Sequence, residues 1–131
     1  MNGKKETSWN SIHNPDDGIF SIRYCQAFCP ELLTYLSRYS EQSRQVYSDL
    51  SNIVHGNTTA FIQIDPLLVY AEPSLNDWKK SIVQIQEIIH FAFFIRYYKT
   101  LEIEDKSKIE PIIRTKIDHI EEIRGRVHQF L

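Results

Sequence analysis

The chain is 131 residues long, 42% hydrophobic and 24% charged, with a formal net charge of −2 and a pI near 6.2. That size suits one domain with a real core, and the 12% aromatic content argues against a disordered chain. A near-neutral balance does not favour autonomous DNA binding, which needs a basic excess.

In chain order, residues 1–15 show little periodicity and carry Gly3, Lys4, Lys5 and Pro15. They read as a mobile arm pinned by Trp9, ahead of a single domain over 16–131. Asp16 and Asp17 are candidate N-caps of a first helix bearing Ile19, Phe20, Ile22, Tyr24, Ala27 and Phe28. Pro30 kinks or breaks that helix, because proline lacks a donor and clashes one turn back. A break would make Pro30 the first residue of the next helix, ELLTYLSRY. Cys25 and Cys29 fall one turn apart on one face. With no second pair in the chain, they read as small buried hydrophobes in a reducing compartment. No metal site and no cofactor are expected from them.

A further helix is expected over about 41–55, with Val46, Tyr47, Leu50, Ile53 and Val54 as its apolar stripe and Gly56 as its stop. FIQID (61–65) and LLVYAE (67–72) flank Pro66 and predict an irregular or short β-hairpin excursion at about 57–73. Ser74 and Asp77 match a capping box and start the longest helix, running to about residue 101. Its middle, 88–98, is apolar nearly all round, as in a helix central to a bundle or shared with a partner subunit. Its aromatic set reads first as core. The second reading is a helix-pairing interface, with Phe91, Phe94, Ile95 and Tyr98 as the contact residues.

EIEDKS (102–107) reads as a polar turn, and Ser107 with Glu110 as a second capping box that leaves Pro111 in the first turn of the last helix. That helix carries Ile109, Ile113, Ile117, Ile120, Ile123, Val127 and Leu131, with Glu122 and Arg126 as an exposed i, i+4 pair. The whole is an all-α bundle of four to five helices with one excursion. The apolar run at 88–95 is far short of the ~20 residues that span a bilayer, and the polar first residues show no secretion signal. The expected location is the cytoplasm.

His55 is the residue on which function turns. On a helical wheel Val46, Leu50, Ile53 and Val54 cluster on one side, and Arg44, Ser48, Ser51 and His55 fall opposite. A histidine just before a glycine stop can simply bond the last carbonyls of its helix. It can also act as an acid or base near neutral pH. His90 in IIHFAFF reads as a core or interface group. His119 and His128, nine residues apart on the charged side of the last helix, lack the spacing that puts two ligands on one metal. No H-E-x-x-H, G-x-S-x-G, P-loop or G-x-G-x-x-G string occurs.

The string YSDLSNIVHG (47–56), on a helix of a small α-bundle, resembles the histidine-bearing helix of HEPN domains, and in particular HEPN-like domains of uncharacterised bacterial proteins. The resemblance covers about fifteen residues and elsewhere rests on helical architecture. It implies a bundle that often dimerises. It also implies either a metal-independent ribonuclease or an inactive binding module, in toxin–antitoxin, CRISPR or anti-phage settings.

The active members of that family carry an arginine followed by four to six residues and then the histidine. Counted back from His55, those slots hold Leu50, Asp49 and Ser48. Arg44 shares the face of His55 but lies about 16 Å away along the axis, too far for one phosphate to touch both. RNA cleavage needs a cation on the phosphate as well as an acid or base. The first reading is therefore a non-catalytic module that forms a homodimer or binds a protein partner. The second is a ribonuclease acting on RNA with His55 as acid or base and Arg44 of the other subunit as phosphate clamp. In it, Ser48, Ser51 and Asn57 supply hydrogen bonds.

Overall fold

The computed structural model describes residues 9–54 and 72–128. Six α-helices follow one another among them: α1 (Trp9–Ile12), α2 (Ile22–Phe28), α3 (Leu33–Val54), α4 (Glu72–Tyr97), α5 (Ile103–Ile117) and α6 (Glu121–His128). Short 3-10 turns precede α3 (Pro30–Leu32) and follow α4 (Tyr98–Thr100). The all-helical bundle is as expected, and no strand occurs among the described residues. The excursion expected at about 57–73 falls mostly on residues 55–71, outside those described. Its last two positions, Glu72 and Pro73, belong to α4.

The N-terminal corner differs from expectation in its cap. Helix α2 starts at Ile22, not after Asp16–Asp17. Ser21 is the cap, with extended φ −77° and ψ 149° and an Oγ that accepts from the Tyr24 N–H at 3.1 Å. Asp16 and Asp17 sit in the preceding turn, where Asn14 Oδ1 accepts from the Asp16 N–H. Gly18 closes that turn. A Cβ there would lie 2.6–2.7 Å from the Asn14 backbone, so only glycine fits. Proline breaks the chain rather than kinking it: α2 ends at Phe28, and Pro30 opens the 3-10 turn that leads into α3.

Helix α3 is continuous where two helices were expected. No glycine or proline lies between Leu33 and Val54, and Leu36, Tyr39, Ser43 and Val46 recur at three- and four-residue spacing along its buried face. Helix α4 is central and packs on α3, α5 and α2. Tyr39 meets Phe91 and Glu87, and the α3 residues beyond it meet Ile85 and Ile88. Tyr98 meets Lys106, and Gln86 meets Lys116. Both neighbours of α4 therefore run antiparallel to it.

The C-terminal segment departs in two ways. Helix α5 begins at Ile103, so Ser107 lies inside it, with its hydroxyl donating to the Glu104 carbonyl at 2.7 Å. The Ser107–Glu110 box is no cap, and Pro111 sits in the helix interior. The expected single last helix is also two. It breaks at residues 118–120, where the Ile120 N–H bonds the Ile117 carbonyl at 3.1 Å. The apolar register survives the break: Ile113, Ile117, Ile120, Ile123 and Val127 are all buried. Arg126 pairs with Glu31, in the 3-10 turn before α3, rather than with Glu122. No helix among the described residues is long and apolar enough to cross a membrane.

Candidate functional site

Of the residues singled out on α3, Arg44, Ser48 and Ser51 are described; His55 and Asn57 lie outside the described residues. Arg44 and Ser48 are exposed and Ser51 is half-buried. The Arg44 guanidinium donates to the backbone carbonyl of His13 at 3.4 Å. It thus faces the N-terminal corner of its own chain.

His13 was read as part of the arm, yet it is one of the few buried polar residues. Trp9 and His13, four apart across α1, form a small aromatic stack against α3. Trp9 lies flat on Tyr47 at 4.1 Å, and His13 lies on Phe20 at 5.4 Å. His13 Nε2 is 2.9 Å from Ser43 Oγ, while Nδ1 is buried without a partner. Burial first, then the Arg44 charge, pull its pKa below the usual histidine value. This pocket of the fold therefore holds a neutral imidazole.

A second cluster joins α3, the inner side of α4 and the turn between α5 and α6. The Tyr39 hydroxyl donates to Glu87 Oε1 at 2.5 Å, and His119 Nε2 lies 3.2 Å from that same oxygen and 3.2 Å from the Tyr39 oxygen. Tyr39 is buried and stacked on Phe91 with centroids 3.9 Å apart. Burial and the bond to Glu87 hold its phenol far above the ordinary tyrosine pKa, so it acts as a donor at all physiological pH. The Glu87 side chain is 22% exposed and that of His119 48%. A shallow basin of about 520 Å³ opens beside Glu87 and is lined by Asn76, Lys79, Lys80, Val83 and Gln84, all from one helix.

The four residues proposed for an interface are core. Phe91, Phe94, Ile95 and Tyr98 are buried within the chain itself, because they face α2, α3 and α5. The exposed apolar row lies on the opposite side of α4: Trp78 (59% exposed), Ile89 (58%), Phe93 (37%) and Tyr97 (48%). At 100° per residue, Trp78, Ile82, Ile89 and Phe93 fall within about 60° of one another. Ile89 and Phe93 form a ridge between two apolar grooves. One, of about 230 Å³, lies towards α1 and α3 and includes Trp9, Val46, Leu50 and Ile85. The other, of about 190 Å³, lies towards α5 and includes Ile109 and Ile112. Sequence alone missed this face because the all-round apolar character of α4 gives no direction. His90 sits at the second groove, with Nδ1 bonded to the Gln86 carbonyl.

Cys25 and Cys29 are fully buried free thiols. Burial and the nearby Glu31 carboxylate push both up to about 11. Among the described residues, no group of three or more His, Cys, Asp or Glu could hold a metal ion. In comparisons with known proteins, no family model, no curated protein and no solved structure matches this chain.

Proposed function

We propose that the chain is a non-catalytic, HEPN-like helical module that pairs with a second copy of itself through the outer face of α4. One observation carries the reading: the exposed row from Trp78 to Tyr97, with the Ile89–Phe93 ridge set between two apolar grooves. Between Ser81 and Ile95 the only formally charged residue of α4 is Glu87, and it is turned inward to Tyr39 and His119. A two-fold axis near Ile89 sets each ridge against a groove of the other copy, which is how helices pack at close range. A bacterial defence or toxin–antitoxin setting follows from the resemblance alone.

The ribonuclease reading ranks second. Its proposed clamp, Arg44, is engaged on the His13 carbonyl. Sedimentation equilibrium of the intact chain tests the first reading. The wild type should be a dimer at micromolar concentration, and Ile89→Glu and Phe93→Glu should each be folded monomers. A wild type that remains monomeric at high concentration overturns it.

A further inference from the structure

The last turn of α4 carries an arginine whose donors are not used by the described chain. Arg96 takes part in no hydrogen bond or ion pair among the described residues. Three rings hold it instead: its guanidinium carbon lies 4.4 Å from the Phe28 centroid, 5.3 Å from that of Tyr97 and 5.9 Å from that of Tyr24. Tyr24 and Phe28 are themselves 4.7 Å apart on α2. A cation in the last turn answers the negative end of its helix, but that role needs neither the contact with Phe28 nor a planar fork. The rings orient the side chain before any ligand arrives, so little rotamer freedom is left to lose on binding. Five N–H donors in one plane suit an oxyanion such as a carboxylate or a phosphate.

Two neighbours narrow the class of anion. Lys99, three residues on, is exposed and forms no ion pair among the described residues. Burial and Glu31 raise the Cys29 thiol while Arg126 and Lys99 oppose the rise, so both of these cations act on the end of α2. Glu31 there is already held by Arg126. Glu102, three residues beyond Lys99, pairs with neither Lys99 nor Arg96. Two cations thus stand unneutralised at this corner, which favours a phosphate monoester over a singly charged carboxylate. Tyr97 is the other neighbour. It is 48% exposed and leans on Phe93 with centroids 5.3 Å apart at 41°, so part of its ring is open to a flat partner. A sugar phosphate would engage the cations and leave that ring idle, whereas a nucleotide engages both.

We propose that Arg96, Lys99 and Tyr97 form a binding site for a nucleoside 5′-monophosphate, with Arg96 and Lys99 on the phosphate and the base stacked on Tyr97. Arg96 and Tyr97 lie about 10–12 Å along α4 from Ile89, so the site stands apart from the pairing reading and survives its failure. The test is an NMR titration of the full chain with adenosine 5′-monophosphate, ribose 5-phosphate and adenosine. The nucleotide should bind with a Kd of about 0.1–1 mM and move the Arg96 side-chain N–H resonance. Ribose phosphate and adenosine should each bind at least about fivefold more weakly. Arg96→Gln should weaken nucleotide binding about tenfold or more. The exposed Tyr97→Leu should weaken it about fivefold and leave ribose phosphate unaffected, a split that a merely structural ring would not produce. Tighter binding of a short 5′-phosphorylated RNA than of the mononucleotide would make a strand end the natural source; equal or weaker binding would make it the free nucleotide. No resonance shift at about 10 mM nucleotide overturns the site. So does unchanged affinity in a folded Arg96→Gln, or ribose phosphate binding as tightly as the nucleotide.

Discussion

Ser43 Oγ and His13 Nε2 lie 2.9 Å apart beneath the Trp9 ring, in a contact between α3 and the residue just after α1. The Ser43 hydroxyl is also placed to donate to the Ser40 carbonyl at 3.2 Å. With one hydroxyl proton for two acceptors, that arrangement suits a neutral imidazole whose Nε2–H donates to Ser43.

Acid should therefore weaken the fold at this corner. The pKa of His13 is lower folded than unfolded, so below about pH 6.5 the unfolded chain takes up a proton that the folded chain resists. Stability should fall as pH drops from there towards the folded pKa, by at most about 1.4 kcal/mol per pH unit for one proton. Urea midpoints between pH 7.5 and 5 should show that slope. His13→Gln should flatten it, and an unchanged slope in that variant would place the acid sensitivity elsewhere.

The core contact most exposed to damage is Tyr39 on Phe91, two rings nearly parallel at 13°. Phe91→Ala should cost about 3–5 kcal/mol, as large-to-small core changes do. Tyr39→Phe keeps the stack but removes a donor from Glu87, and should cost about 1–3 kcal/mol. Because the two side chains touch, the double variant should depart from the sum of the two. Chemical denaturation of the three variants checks all of this.

The cysteines should be silent in the native protein. With pKa values near 11, about one thiol in a thousand is ionised at pH 8, and only the thiolate reacts. A colourimetric thiol reagent should label neither residue natively and both in urea. Rapid native labelling of either would show that α2 opens readily.

Pro111 offers a stabilising change. It denies the Ser107 carbonyl its usual donor inside α5. Pro111→Ala should restore that bond. Interior proline costs a helix about 3 kcal/mol, and the looser unfolded chain returns up to about 1 kcal/mol of the gain. A net rise of about 1–2 kcal/mol is expected in thermal or urea unfolding; a loss would mean that the proline ring itself is needed for the packing of α5.

Periodicity made much of this architecture readable. The buried residues of the C-terminal pair were all legible, since Ile113, Ile117, Ile120, Ile123 and Val127 keep helical spacing. The break between them was not, because the same spacing suits one unbroken helix. The start of α5 was missed for a related reason: Glu104 and Asp105 favour the first turn of a helix, but a capping-box match three residues later looked equally good. The Tyr39–Glu87–His119 cluster could not be read at all. Its members are separated by 48 and 80 positions in the chain, and no local pattern encodes such a meeting. The direction of the free face of α4 was hidden too, since only the packing of its neighbours decides which apolar residues remain outside.

The tie between Arg126 and Glu31 sets an order on how the molecule is made. Glu31 belongs to the turn that follows the first proline break, while its partner lies near the end of the last described helix. The corner that buries Cys29 and Leu32 therefore cannot be completed by local contacts as the chain grows from its N-terminus. Its ion pair waits for residues synthesised much later, and until they arrive the Glu31 carboxylate is without its arginine.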